Sequence, residues 1–120
     1  MAYGLKIRGI NHSEIETKVN DVLSAVGLAH KKRQRALELS SGETKRLGIA
    51  RAMVINPEVL MLDELTANID PANTVIIEDI IFQMKQNRQA TILMITHDPA
   101  QAERLGDELL FMRDGKIVPA

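Results

Sequence analysis

Apolar residues in the first quarter of the chain recur with the spacing of a helix. The pattern begins at Ser13, where Glu16 stands three residues later as in a capping box, and Gly27 is placed to stop it. One face of this helix carries Ile15, Val19, Val22, Leu23 and Val26. We therefore predict a helix over residues 13–26, whereas residues 1–11 have no clear period.

A polar, basic segment and a second helix follow. Residues 30–35 read His-Lys-Lys-Arg-Gln-Arg, which is typical of a solvated turn. Contact with nucleic acid is the weaker alternative, because no aromatic residue is interleaved. The next helix is predicted from Ser41 or Gly42 to about Val54, and Asn56-Pro57 ends it.

Three short apolar runs in the second half predict strands, at residues 59–62, 90–95 and 109–112. The first is apolar at every position, which suits a strand covered on both faces. Helices between the runs give the order strand, helix, strand, helix, strand, which is typical of a parallel sheet with right-handed crossovers. Ligands bind where the carboxyl ends of such strands meet, so we expect Asp63, Glu64 and His97 at one edge.

Helix and turn signals separate these strands. Asp70-Pro71 predicts a helix start, because Asp is a favoured N-cap and Pro fits the first helical position. A shorter helix is predicted from Pro99 to about Leu105. Asp114-Gly115 predicts a two-residue hairpin turn into a final strand over residues 116–118.

Composition limits the classes of function. The 120 residues form one domain or part of one, and a 45% hydrophobic share without low-complexity tracts indicates a globular fold. Lys plus Arg number 15 and Asp plus Glu number 16, which argues against binding nucleic acid or anionic lipid by bulk charge. Cysteine is absent, which excludes disulfides and thiolate metal sites. No apolar run reaches the ~18 residues of a membrane span, so we expect a cytoplasmic chain.

The acidic pair Asp63-Glu64 is the first candidate for chemistry. A carboxylate at the end of a buried strand contributes little to packing, but it can hold Mg²⁺, which prefers oxygen ligands. A neighbouring glutamate can orient or deprotonate a water. On these two residues alone, the simpler alternative is that two acids end a strand.

Two further segments could contact phosphate. The turn Leu39-Ser-Ser-Gly-Glu43 enters a helix, and its free backbone N–H groups and helix dipole favour an anion. An ordinary N-cap is the alternative for this turn. His97 is either a core or capping histidine or a neutral donor to phosphate.

Taken together, these segments resemble the ATP-binding cassette (ABC) ATPase domain over essentially the whole chain. The resemblance rests on the order and spacing of five motifs: Leu39-Ser-Ser-Gly-Glu43, Ala50-Arg-Ala52, Val59-Leu-Met-Leu-Asp-Glu64, Ala67-Asn-Ile-Asp70 and Thr96-His-Asp98. It implies an α/β fold of the P-loop NTPase type, with part of the helical signature subdomain, parallel strands with crossover helices, and a C-terminal hairpin.

The resemblance also implies roles for residues. The first motif matches the family signature, which contacts the γ-phosphate of ATP held by the opposite subunit; its matching residues are Ser40, Ser41, Gly42 and Glu43. Asp63 matches the Walker B aspartate that holds Mg²⁺, usually through water. Glu64 matches the catalytic glutamate, and His97 matches the switch histidine that senses the γ-phosphate. The D-loop, which crosses the dimer interface, matches Ala67, Asn68, Ile69 and Asp70.

Several positions depart from the family pattern. Ser41 stands where a glycine is usual, so we expect its Cβ to hinder close approach to phosphate. Glu43 replaces the usual Gln and adds negative charge beside the triphosphate, and Leu65 replaces the usual Pro. No Gly-x-x-x-x-Gly-Lys-Ser/Thr occurs. We expect residues 1–120 to be the C-terminal half of a nucleotide-binding domain, inactive alone for want of this Walker A loop.

We expect this C-terminal half of the domain to have two parts. Residues 1–55 are the helical signature part, and residues 56–120 contain the Walker B, D-loop and switch segments. The parent is expected to be the ATP-hydrolysing subunit of a bacterial or archaeal importer. Its expected partners are the missing N-terminal half of the domain, a second ATPase subunit and a transmembrane permease at the inner face of the membrane, with no nucleic acid.

Two other functions remain as alternatives to an importer subunit. One is a truncated, non-enzymatic interaction module, and the other is a piece of a non-transport ABC protein of DNA repair or translation. Residues 66–71 resemble the same stretch in some oxyanion importers, which implies tungstate or molybdate as the solute.

Overall fold

A computed structural model describes residues 1–88 and 90–119. In chain order the helices and strands are α1 (Ala2–Ile7), α2 (His12–Ala25), α3 (Ser41–Met53), β1 (Val59–Asp63), α4 (Pro71–Gln86), β2 (Thr91–Ile95), α5 (Pro99–Leu105), β3 (Phe111–Arg113) and β4 (Lys116–Val118). Two single-turn 3₁₀ helices, Ala29–Lys31 and Ala36–Glu38, lie between α2 and α3.

The N-terminal region differs from the sequence prediction in two ways. The aperiodic opening contains the short helix α1, which buries Leu5. Helix α2 begins one residue before Ser13, and its cap is Asn11, whose side chain accepts a hydrogen bond from the Glu14 N–H at 2.9 Å. The predicted capping box of Ser13 and Glu16 is therefore wrong, because Asn is an equally good cap and stands two residues earlier.

The remaining helices follow their predicted signals. Helix α3 has a full capping box between Ser40 and Glu43 and ends at Met53. Asp70 caps α4 through the Asn73 N–H, and Pro71 occupies the first helical position. Helix α5 begins at Pro99 and ends at Leu105, as predicted.

Strands β1 and β2 form a two-stranded parallel sheet that only one layer of helices covers. They pair from Val59 opposite Thr91 to Asp63 opposite Ile95. Leu60 and Leu62 point into the core, while Met61 is 67% exposed. The prediction of a strand covered on both faces is wrong for the described residues. The uncovered face of this sheet, called here the open face, carries the apolar residues Val59, Met61, Leu93 and Ile95.

The last two strands form a separate antiparallel hairpin. Phe111 lies opposite Val118, and Asp114 and Gly115 both have positive φ values, as the predicted two-residue turn requires. The third predicted strand thus begins later than Leu109, and among the described residues it pairs with β4 and not with the parallel sheet. The α/β class and the C-terminal hairpin are confirmed.

One large core joins the helices to the covered side of the parallel sheet. It is formed by Leu23, Val26, Leu28, Ile49, Ala50, Leu60, Leu62, Ile77, Ile80, Ile81, Met84 and Leu105. A smaller cluster of Leu5, Ile15 and Val54 ties α1 to α2 and α3. Because α3 packs on this core through Ile49 and Ala50, the core also holds the Ser40–Glu43 segment at the start of this helix. No described helix has the length and apolarity to cross a membrane.

Candidate functional site

Glu64 follows the last residue of β1, and the backbone holds it from both sides. Its N–H donates to the Ile95 carbonyl at 2.9 Å, which extends the β1–β2 pairing by one residue. Its own carbonyl accepts from the Ala67 N–H at 3.0 Å, which closes a turn. Its φ is +43°, in the left-handed region that non-glycine residues seldom occupy. The carboxylate of Glu64 is about half exposed.

His97 lies beside Glu64 at the same sheet edge, as the topology predicted. Its Nδ1 is 3.2 Å from Oε1 of Glu64. Asp98 orders the following turn, because its N–H donates to the Thr96 hydroxyl and its carboxylate caps Ala100. With Nδ1–H donating to Glu64, Nε2 is the ring nitrogen left to meet a ligand, and the ring is 76% exposed.

Asp63 supplies a further carboxylate at this edge. Within residues 1–88 and 90–119, no hydrogen bond occupies its side chain, and no group of three or more His, Cys, Asp or Glu could hold a metal alone. Mg²⁺ is usually bound by one or two carboxylates together with phosphate oxygens and waters. A lone, accessible aspartate fits that role, and the bound ion would neutralise phosphate charge.

The Ser-Ser-Gly-Glu turn forms the first turn of α3. The Ser40 hydroxyl accepts from the Glu43 N–H at 3.2 Å, and the Glu43 carboxylate accepts from the Ser40 N–H at 3.3 Å. The hydroxyl proton of Ser40 therefore stays available for a ligand, as do the backbone N–H groups at the helix start. Ser41 is exposed at the first helical position.

Lys31, which the sequence did not single out, neutralises the extra charge of Glu43. Its Nζ lies 2.8 Å and 2.9 Å from the two carboxylate oxygens. Its hydrogen bonds, followed by those of Ser40, hold the pKa of Glu43 below its ordinary value. Lys31 therefore offsets the negative charge that Glu43 adds at the start of α3. The basic segment that contains Lys31 also pairs Lys32 with Glu16, at 3.1 Å, which matches its interpretation as a surface turn.

Gly42 is buried against the first turn of α4. A Cβ at this position would lie 2.8 Å from Cβ of Asn73 and closer still to the Asn73 carboxamide. Asn73 in turn donates to both carboxylate oxygens of Asp70, from Nδ2 at 2.7 Å and from its backbone N–H at 3.0 Å. These hydrogen bonds lower the pKa of Asp70. Asn73 thus joins the start of α3 to the loop that ends at Asp70.

The segment before Asp70 is a turn of mixed exposure. Asn68 adopts a positive φ of 59°, a conformation that Asn tolerates, and Ile69 packs against the large core. Ala67 is held by Glu64, as described above. The predicted residues therefore form two groups: Asp63, Glu64 and His97 at the sheet edge, and Ser40 to Glu43 beside Asp70.

Comparison with known proteins shows the family of this chain. A family model described as ABC transporter matches residues 4–67, which is more than half of the chain. The chain belongs to the ABC transporter family. The match includes the start of α3, the acidic pair at the end of β1 and the first residue of the D-loop.

Two curated relatives are importer components by name. Methionine import ATP-binding protein MetN 1 of Acinetobacter baylyi is 41% identical over 98% of this chain and 33% of its own length. Tungstate uptake system ATP-binding protein TupC of Peptoclostridium acidaminophilum is 41% identical over 98% of this chain and 55% of its own. The chain therefore spans between a third and just over half of these relatives.

A solved structure agrees with the fold. CbiO1 from Clostridium perfringens, part of the ABC transporter complex CbiONQ, superposes with a TM-score of 0.89 at 30% identity, over 98% of this chain and 47% of that one. The resemblance drawn from the motifs and the α/β fold expected from it are both confirmed.

Proposed function

We propose that residues 1–120 act within the ATP-hydrolysing subunit of an ABC importer. The observation that carries this proposal is the contact between Glu64 and His97 at the carboxyl edge of the β1–β2 sheet. A carboxylate held there by backbone hydrogen bonds can accept a proton from a water, and the adjacent imidazole can donate to the γ-phosphate. ATP is the substrate that the family implies, and both curated relatives are ATP-binding proteins by name.

The remaining residues take complementary roles. Asp63 would hold Mg²⁺ through its free carboxylate. Ser40, Ser41, Gly42 and Glu43 would contact the γ-phosphate of ATP bound by a second subunit, with Lys31 offsetting the charge of Glu43. Ala67, Asn68, Ile69 and Asp70 would form the D-loop at the contact between the two subunits. Residues 1–55 and 56–120 would correspond to the signature and Walker B parts of the domain.

Further polypeptide would complete the site. Residues 1–120 contain no Gly-x-x-x-x-Gly-Lys-Ser/Thr loop to cradle the phosphates, so we propose that this loop comes from outside them. The open face offers Val59, Met61, Leu93 and Ile95 for packing against that additional polypeptide. A second ATPase subunit and a membrane-embedded permease, at the inner face of the membrane, are the other proposed partners. No solute is assigned, because two relatives of equal identity are named for methionine and tungstate.

Ser40→Ala in the complete ATPase is expected to lower kcat/KM for ATP by about 10- to 100-fold. The change removes a hydroxyl that would donate to charged phosphate, a hydrogen bond typically worth about 1.5–3 kcal/mol. The measurement is steady-state phosphate release over a range of ATP concentrations.

Asn11→Ala is the matched control for Ser40→Ala. Both side chains cap a helix through one N–H, so each loss should cost about 1 kcal/mol of stability. Only Ser40 lies at the proposed phosphate site. Equal effects of the two changes on kcat/KM would refute the proposed role of the α3 start.

A further inference from the structure

Gln101 is the one polar side chain that the core encloses within residues 1–88 and 90–119; it is 4% exposed. It lies on α5, one helical turn before the core residue Leu105. Burying a carboxamide costs free energy unless its polar atoms find partners. Its position therefore requires an explanation in terms of hydrogen bonds.

Both amide protons of Gln101 have acceptors. Nε2 donates to the Thr66 hydroxyl at 2.8 Å and to Oε1 of Glu78 at 2.9 Å. The opposite orientation of the amide would place its oxygen against the Glu78 carboxylate, which is unfavourable. The hydrogen bonds thus fix the side chain in one orientation, with one proton directed at Thr66.

Glu78 is itself held firmly. Arg104 donates from Nη2 to Oε1 at 2.7 Å and from Nε to Oε2 at 3.1 Å, a paired geometry. These bonds, with that from Gln101, lower the pKa of Glu78 and keep it an ionised acceptor. Helix α4 therefore provides a fixed point against which Gln101 is oriented.

The bond to Thr66 connects the two loops that carry the proposed chemistry. Thr66 is two residues after Glu64, and Gln101 is four residues after His97. Before these loops, β1 and β2 are joined by main-chain pairing as far as Asp63 and Ile95. After them, Thr66 and Gln101 are joined by a side-chain hydrogen bond. The Glu64–His97 contact lies between these two connections.

We propose that Gln101 is a positioning residue which, by holding Thr66, fixes Glu64 relative to His97. This inference rests on the proposed function, because Gln101 has a positioning role only if Glu64 and His97 act on ATP. Glu64 and His97 are both substantially exposed, so few packing contacts fix their separation. The bond from the Glu64 N–H to the Ile95 carbonyl constrains the chain before this contact, and the buried Gln101–Thr66 bond constrains it after the contact. Misplacement of catalytic groups lowers the rate of a chemical step more than it lowers ground-state binding.

The test compares two changes at Thr66 in the complete ATPase. Thr66→Val keeps the shape but removes the acceptor, and Thr66→Ser keeps the hydroxyl. We expect Thr66→Val to lower kcat about 5- to 20-fold with KM for ATP unchanged, and Thr66→Ser to stay within about twofold of the parent. Gln101→Met should resemble Thr66→Val, and the double variant should be no slower than either single one, since both remove the same bond.

Lys85→Met is the control for a purely structural role. It removes a different connection between α4 and the end of α5, the bonds from Lys85 to the Leu105 carbonyl and to the Asp107 carboxylate. Gln101, Thr66 and Glu78 keep their partners, so kcat should change less than twofold. The proposal is overturned if Thr66→Val keeps the parental kcat, or if Lys85→Met lowers kcat as much.

Amide hydrogen exchange gives a readout that does not depend on hydrolysis. The Ala67 N–H, bonded to Glu64, should exchange faster in Thr66→Val and at the parental rate in Thr66→Ser. Unchanged exchange in Thr66→Val would also overturn the proposal. The proposed function fails separately, if the complete ATPase does not hydrolyse ATP or if Glu64→Gln leaves turnover intact.

Discussion

Glu64→Gln in the complete ATPase should lower ATP turnover by about 10²–10⁴-fold, the usual contribution of a general base. Glutamine keeps the size of the side chain and an oxygen that can accept from Nδ1 of His97, which is 3.2 Å away in the parent. It cannot accept a proton from water. Binding contacts should therefore survive, so ATP should stay bound and the two-subunit form should accumulate. Phosphate release and sedimentation with ATP measure the two effects.

Glu58→Gln is the matched control, because Glu58 is an exposed glutamate just before β1, at the opposite end of the strand from Glu64. The same chemical change there should leave turnover within about twofold of the parent, as surface substitutions usually do. Full turnover by Glu64→Gln would remove Glu64 from the role of base.

Gly42→Ala is expected to destabilise the protein by about 1–3 kcal/mol and to abolish most of the ATP-driven association of subunits. The added Cβ would lie 2.8 Å from Cβ of Asn73, which is fixed to its own helix and cannot swing away. Either α3 or the first turn of α4 must shift, and that shift moves the turn proposed to contact phosphate. Thermal unfolding and sedimentation with ATP in the Glu64→Gln background give the two readouts.

Gly48→Ala on the same helix separates the steric effect from the glycine-to-alanine change itself. A Cβ at Gly48 meets no atom within 4 Å, so alanine should stabilise α3 by about 0.5–1 kcal/mol. The double change Gly42→Ala with Asn73→Gly should recover part of the loss beyond what the single changes predict. Strictly additive losses would show that the contact with Asn73 is not the cause.

Local sequence signals predicted the starts of α3 and α4, the hairpin turn and the sheet edge well. Asp70-Pro71, Ser40 with Glu43, and Asp114-Gly115 each satisfy backbone groups within a few residues, so their effect can be recognised without the fold. The meeting of Glu64 and His97 was predictable too, because parallel pairing places the ends of β1 and β2 together.

Features that depend on distant partners were not predictable. The Lys31–Glu43 pair joins residues 12 apart, and Gln101 finds Thr66 across 35 positions. In each case the sequence shows an ordinary polar residue, and its partner is determined only by how the helices pack. The cap of α2 was misassigned for the opposite reason, because Asn11 and Ser13 are both good caps and only the surrounding structure selects one.

Glu64 adopts a left-handed backbone conformation, which is unfavourable for a residue with a side chain. This conformation lowers the stability of the folded chain. Asparagine adopts such a conformation more readily than glutamine, while both lack the carboxylate. Glu64→Asn should therefore unfold at a higher temperature than Glu64→Gln, by roughly 4–8 °C for about 1 kcal/mol of relieved strain. Equal unfolding temperatures would mean that the turn after β1 imposes no such cost. A chain selected for stability alone would place asparagine or glycine here, so a glutamate at this position fits the proposed role of its carboxylate in ATP hydrolysis better than it fits the backbone conformation.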